Sequence, residues 1–299
     1  MELKGLYGVA YSCSDKNVGY CDDWYVKKYE SVYRNNINKS LKCVKQLGFN
    51  HIRTYYLKPE ENHDDFLQHC SNLNMTIEIG ISNNLLDNRD YSAIKKLVLS
   101  TKNHKCVKLY LVGNEYFGDV SNIVFGLELV YSLDNSKYLI SSSIFDNNFH
   151  SAKKIINSLE ANKSTCINKY IVSLNTYFYN NPPHSHGDVI QNVVKDFYND
   201  SILKNQYLVI SEFGNNYTNG DEQWQSLWNF SFGNVECLKN YKKYLGYCLF
   251  SFSNESWKGS NGREDNYGIL TENGDKKNGY YAVLEFRNNN AFKQFIRQT

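Results

Sequence analysis

Eight short apolar runs alternate with helical patterns along the chain, and this alternation constrains the fold more than any other feature. The runs have the lengths and the β-branched or aromatic content of strands. They occupy residues 6–12, 49–56, 75–82, 107–115, 137–145, 170–178, 207–214 and 246–255. Between them, apolar side chains recur every three or four residues, which predicts helices. These patterns cover residues 37–47, 66–73, 94–98, 123–130, 152–159, 189–197, 224–244 and 280–292.

Eight strands alternating with eight helices in 299 residues predict an α/β fold, a single (β/α)8 TIM barrel, which has this typical size. Because the chain has only 3 Pro and no Gly/Ser-rich linker, we expect one catalytic domain over residues 1–299. A doubly wound open sheet is the alternative. That fold usually carries a glycine-rich phosphate loop after its first strand, and the sequence YGVAYSCSDKN has no GxGxxG pattern.

The charge pattern excludes several classes of partner. The net charge is +2, and Lys and Arg are scattered among Asp and Glu, so we expect no nucleic-acid partner. No window approaches 18 uninterrupted apolar residues, so we expect no membrane span. The sequence begins without the apolar core of a signal peptide. It therefore predicts either a protein used inside a cell or one whose leader is absent from this sequence, and we expect a monomer.

Cysteine and histidine spacings give no metal or cofactor motif. Neither CxxC nor HExxH occurs, so we predict no metal and no cofactor. His184 and His186 lie two residues apart in a predicted loop, and a metal site there is the alternative. Cys13 and Cys21 flank one loop and could pair. Four further cysteines lie within predicted strands or helices, which indicates buried free thiols: Cys43, Cys70, Cys106 and Cys248.

Two predicted strands end in a glutamate. Glu115 closes the fourth strand and Glu212 the seventh. An ionised carboxylate at the end of a buried strand costs free energy unless something there uses it. In a barrel, the C-terminal strand ends build the active site, so both carboxylates would face one mouth. Two facing carboxylates suit glycoside cleavage, in which one protonates the departing oxygen and the other attacks the anomeric carbon. A strand end in solvent is the alternative for Glu115.

These residues resemble a known group of enzymes. A Glu after an Asn at the end of strand four, with a second Glu ending strand seven, resembles the clan A retaining (β/α)8 glycoside hydrolases. Within them, three stretches resemble the β-1,3-glucanase family 17: VGNE at 112–115, SLNTYFYNN at 173–181 and FSNESWKGSNGREDNYGIL at 252–270. Four stretches are similar to the family 72 glucanosyltransferases: GVAYS at 8–12, GFNHIRTYY at 48–56, ENHDDFL at 61–67 and SEFG at 211–214.

Two features depart from those families. SEFGNNYTNG lacks the ETGWP-type sequence that is usual around the family 17 nucleophile. The cysteine-rich appendage of some family 72 members is missing as well.

The resemblance implies a role for several residues. Glu115 would be the general acid and then the general base, and Glu212 the nucleophile. Asn114 would hydrogen-bond the 2-hydroxyl of the sugar at the cleavage point. Arg53 would hold Glu212 ionised and oriented, although a paired charge inside the barrel mouth is the alternative. The expected lining of the sugar site also includes Tyr11, Tyr55, Asn175 and Tyr177.

Strand eight and the loop after it supply the remaining candidates. Glu255, Lys258 and Glu264 would form a charged network that supports the two carboxylates. A surface ion pair of little energetic weight is the alternative for Lys258 and Glu264. Trp257 would be either a sugar-stacking platform or a loop anchor.

The sequence therefore predicts a retaining glycoside hydrolase that acts on β-1,3-glucan, with a β-glucan polysaccharide or oligosaccharide as its partner. A β-1,3-glucanosyltransferase with the same residues is one alternative, and a non-catalytic glycan-binding barrel is another. A barrel hydrolase on a different β-glycoside, such as a mannan or galactan, is a third. Hydrolysis and transfer share the covalent intermediate, and sequence does not distinguish them.

Overall fold

The computed structural model describes residues 3, 5–11, 23–35, 41–146, 148–255, 266–290 and 292. Within them, eight parallel strands close into a barrel in chain order, and the eighth strand pairs with the first. Helices follow the strands in sequence. This is the (β/α)8 TIM barrel that the alternation of strand and helix patterns predicts.

All eight predicted strands are present. They are β1 (Leu6–Ala10), β2 (His51–Arg53), β3 (Thr76–Ile81), β4 (Val107–Asn114), β5 (Tyr138–Ile144), β6 (Tyr170–Thr176), β7 (Tyr207–Phe213) and β8 (Tyr244–Leu249). The helices are α1 (Leu41–Gln46), α2 (Asp64–Asn72), α3 (Asn83–Asp87), α4 (Tyr91–Thr101), α5 (Val120–Leu133), α6 (His150–Ala161), α7 (His186–Asn199), α8 (Gly220–Asn240) and α9 (Asn278–Asn288). The short α3 directly after β3 was not predicted.

The eighth strand is shorter than its sequence pattern indicates. The pattern runs to residue 255, but β8 ends at Leu249. Beyond it the chain bends at Phe250 and Phe252 and pairs elsewhere. Phe252 N donates to the carbonyl of Ala10 at 2.9 Å, and Ser253 forms a bridge with Leu270. The pattern therefore predicts the eighth strand but places its end six residues too late, because residues 250–255 lie beyond the barrel wall.

Two apolar layers hold the barrel. Side chains alternate between the two faces of a strand, so one set faces the barrel axis and the other faces the helices. The axial set is a small cluster of buried side chains: Leu3, Leu6, Leu109, Leu111, Ile140, Ile171, Val209 and Leu245. The outer set belongs to a much larger cluster that includes Tyr110 and Val112 of β4 with Leu97 and Leu127 of the helices. This double burial explains why the strands appear in the sequence as nearly continuous apolar runs.

The barrel interior becomes polar towards the C-terminal strand ends. Two residues beyond the axial Ile140, Ile171 and Val209 lie Ser142, Ser173 and Ser211. Ser142 Oγ lies 2.7 Å from Ser173 Oγ and 3.2 Å from Ser211 Oγ, and all three residues are buried. Because buried polar groups require hydrogen-bond partners, this layer marks where the interior changes from a packed core to a polar site.

Across the part of the chain that the structure describes, none of the helices combines the length and the apolar character needed to cross a membrane.

Candidate active site

A fully buried arginine lies at the centre of the polar interior. Arg53, the last residue of β2, is 0% exposed. Its guanidinium donates to Glu78 Oε1 at 2.8 Å and to Ser142 Oγ at 3.1 Å. It also donates to Asn114 Oδ1 at 2.6 Å and to Glu212 Oε1 at 3.0 Å. A charge this deep requires paired and hydrogen-bonded surroundings, and two carboxylates with two neutral oxygens supply them.

The chain leaves β2 in a way that places Tyr55 at the mouth, over Arg53. Thr54 Oγ1 donates to the carbonyl of Glu78 at 2.6 Å and accepts from Gly80 N at 3.2 Å. At Gly80, a Cβ would lie 2.2 Å from the carbonyl oxygen of Tyr55. Glycine at residue 80 therefore lets the segment after β2 cross directly over β3, which brings the Tyr55 side chain above the arginine.

Glu212 of β7 is buried and receives three hydrogen bonds. Arg53 and Tyr55 both donate to its Oε1, at 3.0 and 2.9 Å. Tyr177, just after β6, donates to its Oε2. Burial raises the pKa of both Tyr55 and Tyr177 well above the ordinary value, and the charge of Glu212 raises it further. Both phenols therefore remain protonated donors at physiological pH, and Glu212 keeps a fixed orientation.

The charges around Arg53 also fix its protonation state. Burial alone would lower the pKa of the guanidinium, but the charges of Glu78 and Glu212, together with Tyr55, raise it well above the ordinary value. Arg53 also lies over the Tyr55 ring, 5.0 Å from its centroid. A permanent cation therefore lies between two carboxylates, one at the mouth and one deeper in the barrel.

Glu115 lies at the end of β4 on a tight backbone turn. Gly113 and Glu115 have φ angles of 81° and 49°, in the region that favours glycine, and the register with β5 shifts just before Asn114. Asn83 brackets this turn, because its side chain donates to the carbonyl of Asn114 at 2.8 Å and accepts from its N–H at 3.0 Å. Glu115 N also donates to the carbonyl of Ser142 at 2.8 Å. A non-glycine residue held in this backbone region by its surroundings is typical of a functional position.

Two amides connect Glu115 to the Glu212 side of the mouth. Asn175 Nδ2 donates to Glu115 Oε1 at 2.8 Å and to Asn114 Oδ1 at 3.1 Å, while its Oδ1 accepts from Ser211 at 2.7 Å. Asn114 Oδ1 therefore accepts from both Arg53 and Asn175. With its oxygen fixed in this way, the Nδ2 of Asn114 is the group left to donate to a ligand.

The structure thus brings together most of the residues that the sequence places at the strand ends. The charges of Glu212 and Glu115 both raise the pKa of Tyr177, after the larger effect of burial, so both carboxylates act on this phenol. Glu255 is 3% exposed, and its charge also contributes to the raised pKa of Tyr55, after burial and Glu212.

One residue that the sequence predicts to line the sugar site does not lie at the mouth. The Tyr11 ring is 2% exposed and packs in the main core, with its centroid 5.5 Å from Phe252 and 6.3 Å from Phe66. It is a core residue rather than an open face for a sugar. Trp257, Lys258 and Glu264 lie outside the described residues, as do Cys13 and Cys21. Cys43, Cys70, Cys106 and Cys248 are buried free thiols, as expected.

Sequence reasoning missed the deeper part of the site. Glu78 is 2% exposed in β3 and is the second carboxylate that binds Arg53. His51 lies beside it, with Nε2 3.7 Å from Glu78 Oε2 and Nδ1 2.8 Å from Thr76 Oγ1. The signal was present in TIEIGI, where one Glu interrupts an otherwise apolar buried strand. Asn83 was missed because it follows a strand without an adjacent charge.

His186 has structural partners. Its Nε2 lies 3.1 Å from the carbonyl of Asn181, and its Nδ1 lies 2.8 Å from Ser226 Oγ. Because a carbonyl can only accept, Nε2 carries the proton and Nδ1 accepts. Burial lowers the pKa of this imidazole. Among the residues that the structure describes, no group of three His, Cys, Asp or Glu side chains could hold a metal ion.

Solved structures of known enzymes share this fold. Xylanase 10B from Thermotoga petrophila, solved with xylobiose, matches with a TM-score of 0.65 and 14% identity over 98% of this chain and 95% of that chain. A GH2 β-galacturonidase from Eisenbergiella tayi matches with a TM-score of 0.61 and 21% identity over 83% of this chain and 46% of that one. A putative β-galactosidase from Bacteroides fragilis matches with a TM-score of 0.68 and 14% identity over 95% and 42%.

These neighbours are TIM-barrel glycoside hydrolases of the clan A type. The chain spans a little under half the length of the galacturonidase and the galactosidase. At sequence identities of 14% to 21%, the structural similarity establishes the fold alone. The sequence matches no protein-family model and no curated protein.

Proposed function

We propose that this protein is a retaining glycoside hydrolase that acts on β-1,3-glucan with Glu212 as the nucleophile and Glu115 as the acid and base. One observation carries the proposal. Glu212 is buried and held by Arg53, Tyr55 and Tyr177, while Glu115 is held across the mouth by Asn175. The retaining mechanism uses two carboxylates in different roles at the C-terminal end of the barrel, and these two carboxylates are oriented separately there.

In the first step, Glu115 gives its proton to the glycosidic oxygen while a carboxylate oxygen of Glu212 attacks the anomeric carbon. The bond between that carbon and the leaving oxygen breaks, and a covalent glycosyl-enzyme forms. Oε1 of Glu212 already accepts two hydrogen bonds, whereas Oε2 accepts one, from Tyr177. Oε2 therefore has the more available lone pair and is the attacking atom.

In the second step, Glu115, now a carboxylate, removes a proton from an incoming hydroxyl. The resulting oxygen attacks the anomeric carbon and releases Glu212 as a carboxylate. Water as the incoming group gives hydrolysis, and a sugar hydroxyl gives transfer. Asn114 Nδ2 donates to the sugar 2-hydroxyl throughout, which positions the ring between the two carboxylates.

The choice of substrate rests on the sequence. The motifs VGNE, SLNTYFYNN and FSNESWKGSNGREDNYGIL resemble those of the β-1,3-glucanases of family 17. GVAYS, GFNHIRTYY, ENHDDFL and SEFG resemble those of the family 72 glucanosyltransferases, so transfer on the same substrate is the second candidate. Arg53, Tyr55, Asn175 and Glu212 lie within these motifs and contact one another in the structure, which favours the motifs as functional units.

The test is a mass-spectrometric product profile from a defined β-1,3-gluco-oligosaccharide, with Glu212→Gln as the control. Shorter products from the wild type alone support the hydrolase. Shorter and longer products together support the transferase. Absence of any product, or equal activity in Glu212→Gln, would overturn the proposal. Parallel incubations with a mannan and a galactan separate a wrong mechanism from a wrong substrate.

A further inference from the structure

Three large apolar side chains are exposed at the C-terminal ends of three neighbouring strands. Phe117, two residues after Glu115, is 86% exposed, Ile144 at the end of β5 is 47% exposed, and Tyr179 after β6 is 56% exposed. Scattered exposed apolar residues are common, but a group of them at one site marks a binding surface. Because β4, β5 and β6 are consecutive in the barrel, these side chains occupy one arc of the mouth.

Strand register places Ile144 over the site, and ring stacking places Tyr179 there. Ile144 lies two positions beyond Ser142, which hydrogen-bonds Arg53 inside the barrel, so the two side chains are on the same face. Ile144 also pairs in register with Asn175, which holds Glu115. The Tyr179 ring stacks on the Tyr177 ring, with centroids 5.7 Å apart and planes 5° apart.

The arc belongs to the Glu115 side of the mouth. Glu115 directly follows β4 and is held from β6, so the oxygen that it protonates is bonded to a group lying over β4 to β6. Tyr179 closes this arc on the β7 side, where it borders a cavity of about 560 Å³ that is also lined by residues 214–217 and by Tyr267.

The charge of these segments favours a neutral ligand. Residues 115–119, 145–149 and 177–185 contain no Lys or Arg but include Glu115, Asp119 and Asp146. An anionic ring would be repelled there, whereas the C–H face of a neutral pyranose can stack on apolar and aromatic side chains.

We propose that Phe117, Ile144 and Tyr179 form a platform that binds the leaving group in the first step and the acceptor in the second, and that its ligand is an uncharged pyranose. The inference rests on the proposed function, since it assigns the leaving-group side through Glu115. The same platform decides how often a sugar hydroxyl replaces water, because a ring stacked there holds its hydroxyl near the anomeric carbon.

The test compares two donors. β-Glucosyl fluoride has a single atom as its leaving group, whereas a β-1,3-linked glucotriose places a ring on the platform. Phe117→Ala and Ile144→Ala are measured separately. In each variant, the ratio of kcat/KM for the triose to kcat/KM for the fluoride should fall. The fall should be about tenfold for Phe117→Ala. Tyr207→Ala is the matched control, because this tyrosine is 39% exposed but begins β7 at the opposite end of the barrel. An unchanged ratio in Phe117→Ala would overturn the platform.

Two further experiments complete the test of the platform. With β-glucosyl fluoride as donor, methyl β-glucoside should give transfer products and methyl β-glucuronide should give few. Equal transfer to both would refute the preference for a neutral ligand. If the wild type cleaves neither donor, the proposed function fails, and calorimetric titration with the triose decides the inference. Binding that Phe117→Ala weakens and Tyr207→Ala preserves supports the platform, and absent or unaffected binding refutes it.

Discussion

Replacing Arg53 with Met removes the guanidinium that faces two buried carboxylates. The side chains of Glu78 and Glu212 are 3% and 4% exposed, and Arg53 contacts them at 2.8 and 3.0 Å. Removing one partner of a buried ion pair costs about 3–5 kcal/mol. For a chain of this length, about 2 °C of melting temperature corresponds to each kcal/mol. The melting temperature of Arg53→Met at pH 7 should therefore fall by about 6–10 °C.

The assay is thermal unfolding followed by circular dichroism, with two controls. Arg34→Met removes a cation that is 40% exposed and pairs with Glu30 and Asp65 at the surface, so its melting temperature should stay within about 2 °C of the wild type. Arg53→Lys keeps the charge but loses the planar donor geometry, and it should fall between the wild type and Arg53→Met.

A double mutant tests the network directly. In Arg53→Met with Glu78→Gln, the second change removes one of the two carboxylates left without a cation, so the double mutant should be more stable than Arg53→Met alone. Additive losses would refute the account of a shared cation, as would a melting temperature of Arg53→Met within about 2 °C of the wild type.

Three further outcomes are expected. Tyr177→Phe removes the donor to Glu212 Oε2 and should lower kcat by about 10- to 100-fold with an unchanged dichroism spectrum; an unchanged kcat would contradict the assignment. Asn83→Ala removes two hydrogen bonds to the backbone before Glu115 and should cost about 1–2 kcal/mol in urea unfolding, together with a loss of kcat that a merely peripheral residue would not produce. Burial lowers the pKa of His186 below 6.5, so the unfolded chain binds its proton first as the pH falls. Stability should therefore decrease below about pH 6.5, less steeply in His186→Gln, and an identical pH slope in both proteins would contradict this.

The fold was predictable because every barrel strand is buried on both faces. Long apolar runs such as VKLYLV in β4 are visible without any partner, and amphipathic helices separate them. Boundaries were less predictable, because local pattern does not show where a strand leaves its sheet. Phe252 and Ser253 continue the alternation of β8 but bond to Ala10 and Leu270 instead.

The mouth of the site was easier to predict than its interior. Glu115 and Glu212 stand out because a carboxylate at the end of an apolar run is unusual, and the barrel geometry then brings them together. Glu78 lies in the middle of its strand, and its partner Arg53 is distant in sequence and only becomes a neighbour on folding. Tyr11 is also at a strand end, but its ring turns towards Phe252 and Phe66, which sequence position does not reveal.

The most direct test of the central claim is to trap the covalent intermediate. A 2-deoxy-2-fluoro-β-glucosyl fluoride has a good leaving group and slows the second step, so the glycosyl-enzyme accumulates. Peptide mass spectrometry of the inactivated protein should find the sugar on Glu212, and Glu212→Gln should remain unlabelled. A label on any other residue, or an unlabelled enzyme that releases fluoride and product, would contradict the assignment of Glu212 as the nucleophile of a retaining mechanism.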